Sequence, residues 1–147
     1  MDETVTAGVI LIGDELLSGR TQDTNLGTIA KFLEPLGVSI GEARIIADNA
    51  DTIRDTVKAF SDRFDYVFTT GGIGPTHDDI TADCIAAAFG LGISERVDAI
   101  EVLRDRYSLE ELNEARRRMA RIPDGASLIK NPVSQAPGFQ TKNVFTL

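Results

Sequence analysis

The chain has 147 residues, a net charge of −8, an ordinary apolar share and few aromatics, enough for one domain with a real core and too few for two. The acidic balance argues against nucleic acid or an anionic membrane as the main partner, but not against a nucleotide or phosphorylated cofactor held by local backbone donors. No apolar run reaches the roughly 18 residues of a membrane span, no signal-peptide pattern is present, and Cys84 is the only cysteine; a disulfide and a cysteine metal cluster are excluded, and a soluble cytoplasmic protein is expected.

Residues 4–12 form a nearly continuous apolar run, the pattern of a strand covered on both faces in a parallel sheet. A loop follows, bracketed by Gly13 and Gly19 and carrying Asp14, Glu15 and Ser18. In open α/β sheets this edge is where ligands bind; a solvated turn is the plain alternative for the two acids. A helix is predicted over 24–36, with Leu26, Ile29, Ala30 and Leu33 as its buried stripe and Asp23 or Thr24 as its cap. The second strand, 38–46, alternates at first and reads as less central. Asp48 stands between it and a second helix over 51–64, on the same rim as Asp14 if the sheet is parallel. It is a turn residue or a ligand contact.

The richest stretch comes next. Residues 66–70 are aromatic and β-branched, the composition of a buried strand. Gly71, Gly72 and Gly74 then allow a sharp turn and a close backbone approach, Pro75 stiffens it, and Thr76, Asp78, Asp79 and Thr81 lead into a third helix marked by Ile80, Cys84, Ile85, Ala88 and Phe89. A strand that ends in glycines and feeds a helix leaves N–H groups free for a phosphate. Two acids beside that phosphate would repel it unless a divalent metal, usually Mg²⁺, bridges them. Capping of the helix by Asp78 and Asp79 is the alternative; three glycines within four residues, followed by proline and paired acids, favour the functional reading.

A fourth helix is predicted over 95–107, with Val97, Ile100, Leu103 and Tyr107 facing inward. A capping-box pattern at Ser108 and Glu111 predicts a fifth over 108–120. Its Arg116, Arg117 and Arg118, with Arg121, form the one basic cluster, either a solvated face or a counter-charge for phosphates. Strand-like pieces at 127–129 and 144–147 flank a turn-rich loop. The chain stops inside a strand pattern, which suggests a fragment. Strands alternating with helices predict a three-layer α/β/α domain with a mostly parallel central sheet. The G-x-G-x-x-G and P-loop fingerprints are absent, as is a G-x-S-x-G context, and the single His77 leaves no multi-histidine metal site.

With these motifs in view, the chain resembles the molybdopterin-binding domain family that includes MoaB, MogA and the N-terminal domain of CinA. The resemblance covers essentially the whole chain. It rests on GDELLSG from Gly13, DTN from Asp23, Asp48, TTGGIGPTHDDIT from Thr69, and Asn131-Pro132 with Ala136-Pro137-Gly138-Phe139. The glycine motif and the Ala-Pro-Gly-Phe segment look closest to the CinA branch. A Pro-Gly-Val-Pro segment that follows the last strand in the family is missing, as is the C-terminal amidase domain of longer CinA proteins. The family implies a phosphorylated small-molecule ligand (molybdopterin, ATP or ADP-ribose) at the rim. Asp48 and Asp79 match the catalytic, metal-holding pair of its adenylyltransferase members, and Asp14 and Ser18 match its first binding loop. Gly13, Glu15, Gly71, Gly72, Gly74, Pro75, Thr76, Asp78, Thr81, Pro137 and Gly138 complete the expected binding set. Family members are often dimers or trimers, so a homo-oligomer is expected.

Three functions compete. One is molybdopterin binding with adenylyl transfer from ATP. Another is metal-dependent hydrolysis of a nucleotide pyrophosphate such as ADP-ribose, with water as nucleophile. The third is a binding or assembly module without turnover.

Overall fold

The computed structural model describes residues 4–131 and 136–147; the part of the turn-rich loop at 132–135 lies outside them. The central strand is β1 (Val5–Ile12), flanked by β2 (Val38–Ile46) and β3 (Tyr66–Thr70), both parallel to it. From residue 7 onward β1 is fully buried, as its unbroken apolar run predicts. Ile10 and Ile12 join the main core, while Leu11 faces the groove beside Leu26 and Ile45. β2 is the sheet edge, and only its last residue, Ile46, is fully buried.

The sheet continues from β3 through three short strands, in the order β2-β1-β3-β8-β7-β6. These are β6 (Ser127–Ile129), β7 (Gly138–Thr141) and β8 (Val144–Thr146). β8 is parallel to β3, and β7 and β6 are antiparallel additions. The mostly parallel α/β sheet is as the sequence predicts. β7 is not, because Gly138 and Gln140 interrupt its apolar pattern; Phe139, 1% exposed, is its contribution to the core.

Before β2 runs α2 (Asn25–Leu33), whose first N–H groups, on Asn25 and Leu26, donate to the Asp23 carboxylate at 3.2 and 3.0 Å. The predicted span to residue 36 is completed by a 3₁₀ turn, Glu34–Leu36. Only Leu33 of the predicted stripe is fully buried. The loop after β1 contains one helical turn, α1 (Asp14–Leu17). α3 (Ala50–Arg63) is capped by Asn49, whose side chain accepts from the Thr52 N–H at 3.0 Å. It packs Ile53, Val57 and Phe60 on the sheet face that carries Ile10 and Ile12. Beside it lies α4 (Thr81–Ala88), with Cys84, Ile85 and Ala86 inward.

Beyond α4 the chain departs from the sequence reading. Residues 93–95 are β4 (Ile93–Glu95), paired antiparallel with β5 (Arg121–Pro123). The helix there is shorter, α5 (Val97–Arg104); Ala99 and Leu103 are its buried residues, and Val97 is 76% exposed. The capping box does form: the Ser108 N–H donates to Glu111 Oε1 at 3.0 Å and the Glu111 N–H to Ser108 Oγ at 3.2 Å. It closes only a turn, and the predicted helix over 108–120 does not form. Asn113 is extended and caps a new one, α6 (Glu114–Arg117), by accepting from the Arg116 N–H at 2.9 Å. An asparagine that can cap is a standing alternative to helix continuation. A 3₁₀ turn, Arg118–Ala120, then leads into β5.

Candidate functional site

The C-terminal ends of β1, β2 and β3 meet at one rim. The Gly13 N–H donates to the Ile46 carbonyl at 3.0 Å, which pins the end of β1 to the end of β2. One residue further on, two aspartates clasp each other's backbone. The Asp14 N–H donates to Asp48 Oδ2 at 3.1 Å, and the Asp48 N–H donates to Asp14 Oδ1 at 3.0 Å. Each carboxylate keeps its other oxygen free of these bonds.

β3 delivers the glycine loop. Gly71 and Gly72 have φ of 94° and 74°, where a side chain is strained. A Cβ on Gly71 would collide with the Ile12 carbonyl oxygen, and one on Gly72 with the Thr81 hydroxyl. Glycine is required there because the loop presses against β1 on one side and α4 on the other. Thr81 holds that contact from below: its N–H donates to the Gly72 carbonyl and its hydroxyl to the Gly71 carbonyl, each at 3.0 Å. Among the described residues, the N–H groups of Gly72, Ile73 and Gly74 have no acceptor. Thr76 donates both its N–H and its hydroxyl to Asp79 Oδ2, at 2.9 and 2.8 Å. Asp79 Oδ1 is left unspent.

Asp14, Glu15, Asp48, Asp78 and Asp79 line one cleft of about 280 Å³, with Arg20, Gly72 and Thr76. The acids act on each other. Burial raises the Asp48 carboxyl above its ordinary 3.8; the Asp14 N–H opposes this, and repulsion from Asp14, Glu15 and Asp79 adds to it. Among the described residues no three His, Cys, Asp or Glu side chains gather into a complete metal site. The donor set fits a less demanding arrangement. Magnesium takes one or two carboxylates and completes its shell with water and substrate phosphates, and Asp48 and Asp79 offer that much in a cleft short of positive charge.

The far side of the loop is different. Ile73, Gly74 and Pro75 border a cavity of about 320 Å³ walled by Tyr107, Met119, Ala136 and Leu147. Pro75, Thr76 and His77 also border an open groove of about 520 Å³ with Arg116 and Arg118.

Of the residues singled out from the sequence, Asp14, Glu15, Asp48, Gly72, Thr76, Asp78 and Asp79 share the acidic cleft, and Gly13 sits at its edge. Gly71, Gly74 and Pro75 line the cavity behind the loop. Ser18 is exposed and turned to its own loop, donating to the Glu15 carbonyl at 3.3 Å and accepting from Arg20 Nε at 3.2 Å. Thr81 is fully buried under the loop. Pro137 is buried beside Gly74 and Met119. Gly138 is packed between Ile129 and the Thr146 carbonyl, away from the acidic cleft. Arg20, Tyr107 and Met119 join the surroundings of the loop without having been foreseen. Arg20 had a signal, since it closes the first binding loop directly after Gly19.

Comparison with known proteins agrees with this architecture. Residues 8–147 match the family described as "Probable molybdopterin binding domain". A protein of Aeropyrum pernix is 39% identical over 140 residues, which cover 94% of this chain and 52% of that protein. A CinA-like protein of Crocosphaera subtropica is 35% identical over 136 residues, 91% of this chain and 33% of that protein. The chain thus spans between a third and about half of the length of these relatives. The crystal structure of a protein CinA of unknown function from Thermoplasma acidophilum superposes with a TM-score of 0.88 at 32% identity, covering 99% of this chain and 89% of that one. MoaB from Thermus thermophilus shares the fold, with a TM-score of 0.58 at 18% identity over 97% of this chain and 80% of that one. On the match over nearly its whole length, the chain belongs to the molybdopterin-binding domain family.

Proposed function

We propose that this domain binds molybdopterin or a nucleotide through a phosphate on the N–H groups of residues 72–74, with a divalent metal held by Asp48 and Asp79. The observation that carries the reading is that the glycine loop, whose N–H groups at 72–74 are unspent, borders at Gly72 the same cleft as the unspent carboxylate oxygens of Asp48 and Asp79. The donors suit an anion, and the acids suit it only with a cation between. When bound, the metal supplies charge neutralisation between phosphate and carboxylates.

The reaction that fits best is adenylyl transfer. A terminal phosphate oxygen of molybdopterin attacks the α-phosphorus of ATP, a new P–O–P bond forms, and pyrophosphate leaves. The chain's own part is positioning and electrostatics. The loop N–H groups take up charge on the phosphate, and Thr76 fixes the Asp79 carboxylate by donating twice to Oδ2, which leaves Oδ1 without a hydrogen bond among the described residues. Hydrolysis of a nucleotide pyrophosphate such as ADP-ribose is the second reading. Asp78, a further carboxylate in the cleft, favours it, because it can orient a water.

The test uses the intact protein and Asp79→Asn. AMP release from ADP-ribose and pyrophosphate release from ATP plus molybdopterin are followed with and without Mg²⁺. Metal-dependent pyrophosphate that vanishes in the variant supports adenylyl transfer. Metal-dependent AMP from ADP-ribose supports the hydrolase instead. Ligand binding without either product leaves a binding module, and no binding to any of the three ligands refutes the site.

A further inference from the structure

The basic cluster has one guanidinium with nothing to do. Arg116 lies over the Tyr107 ring at 4.4 Å and donates to the Glu111 carbonyl at 2.8 Å. Arg117 pairs with Glu95 at 2.6 Å, and Arg121 with Asp83 at 2.7 Å. Arg118 has no ion pair and no hydrogen bond among the described residues, and its Nε is buried without a partner. Burying an N–H without an acceptor is unfavourable, so such a group marks strain, a missing water or a missing ligand.

Its position selects among these. Arg118 opens the 3₁₀ turn that follows α6 and reaches the outer flank of the glycine loop. There it lines a water-sized cavity of about 10 Å³ with Gly72, Ile73, Gly74, Asp79 and Asp83, so the room for a phosphoryl group is in the groove next to it. It also borders the open groove beside Pro75, Thr76 and His77. The acidic cleft with Asp14 and Asp48 lies on the other flank of the same loop. An anion seated on the loop N–H groups therefore meets the acidic cleft, with its one Arg20, on one side, and on the other the Arg118 guanidinium near Asp79 and Asp83, of which Asp83 is already paired with Arg121. Arginine suits that place: its planar fork stays charged and matches two phosphate oxygens at once.

We propose that Arg118 contacts the second phosphoryl group of a diphosphate-bearing ligand whose first phosphoryl group sits on the glycine loop, and so makes the site selective for diphosphates over monophosphates. This rests on the loop being the phosphate seat, as argued above.

The experiment titrates inorganic pyrophosphate and inorganic phosphate, each with Mg²⁺, into the intact protein and into Arg118→Gln and Arg118→Lys by calorimetry. Wild type is expected to prefer pyrophosphate. Arg118→Gln is expected to weaken pyrophosphate binding about tenfold or more while leaving phosphate nearly unchanged, the scale of one charge-assisted contact. Arg118→Lys, which keeps the charge and loses the fork, is expected to fall between. Equal affinity for pyrophosphate in wild type and Arg118→Gln overturns the role of Arg118 and leaves the loop standing; it means that a water satisfies Nε. Equal weakening of both anions also overturns it, since the arginine then acts as a general charge or as a structural support. Failure of wild type to bind either anion overturns the loop reading and this inference together.

Discussion

Replacing Gly71 by alanine tests whether the glycine loop is built by contact with β1 or only by its own turn. Two costs add. The residue has φ of 94°, a conformation that costs a residue with a side chain about 1–3 kcal/mol. The new methyl would also sit 3.1 Å from the Ile12 carbonyl carbon and closer still to its oxygen. That neighbour is backbone in the central strand, so it cannot swing aside, and overpacking of this kind costs about 1–3 kcal/mol. The expected loss is about 2–6 kcal/mol. Gly37→Ala is the internal control. It has φ of 76° and nothing within 4 Å of a built Cβ, so it carries only the conformational part, about 1–2 kcal/mol. Urea unfolding of both variants gives the comparison, with the slope m checking that the unfolded state is unchanged. Gly71→Ala should also lose anion binding, because Ile12 precedes the Gly13 that pins β1 to β2, whereas Gly37→Ala should keep it. Equal destabilisation of the two variants would refute the claim that the loop is pressed against β1.

Asp48→Asn is expected to be more stable than wild type at pH 7 and inactive. The folded carboxyl has a raised pKa, with burial the largest cause, so the folded state holds a proton that the unfolded chain has released. That contribution is full at acid pH, declines as pH rises from the ordinary 3.8 through the raised folded value, and leaves a deficit at neutrality. Unfolding of both proteins across that window measures the difference, and a variant less stable than wild type at pH 7 contradicts the burial argument. Thr81→Val keeps the shape and deletes the hydroxyl that donates to the Gly71 carbonyl at 3.0 Å. A loss of about 1–3 kcal/mol is expected for the unpaired carbonyl, and a wild-type thermal midpoint would mean that another donor replaces it. Cys84 is buried, and burial pushes its thiol up to about 11. It should ignore Ellman's reagent at pH 8 until urea unfolds the chain, since the thiolate is the reactive form; rapid reaction in the native state would show that α4 opens.

The parallel half of the fold was legible because its signals are local and long. β1 is an unbroken apolar run, β2 alternates, and α3 repeats apolar residues at helical spacing over 14 residues. Once three strands are parallel, their ends share a rim, so Asp14, Asp48 and Asp79 could be placed together from the sequence alone. The later half was not legible for an equally physical reason. β4 and β5 have three residues each and exist through each other across a long stretch of chain, which no local window reports. The capping-box bonds at Ser108 form, yet they close only a turn and open no helix, and the next helix starts after the Asn113 cap. Val97 matched the stripe by spacing, but the phase of α5 is set by Ala99 and Leu103.

The arginine cluster shows the same limit at the level of chemistry. Four arginines close together in sequence are equivalent to a reader of composition. Which of them is free depends on where Glu95, Asp83 and Tyr107 fall in space, and those partners come from β4, from α4 and from the loop after α5. Once they are placed, the site acquires an internal logic. The acids on one flank of the glycine loop would by themselves expel a phosphate; their repulsion already adds to the burial that raises the Asp48 carboxyl. On the function proposed above, a cation would offset the acids where Asp48 and Asp79 would hold it, and a further negative charge on the ligand would be drawn to the flank where Arg118 borders the open groove, away from Asp14 and Asp48. An asymmetric electrostatic field of this kind fixes direction as well as affinity. On the inference drawn above, a ligand with two linked phosphates would use both flanks at once, which is why the comparison of pyrophosphate with phosphate decides it.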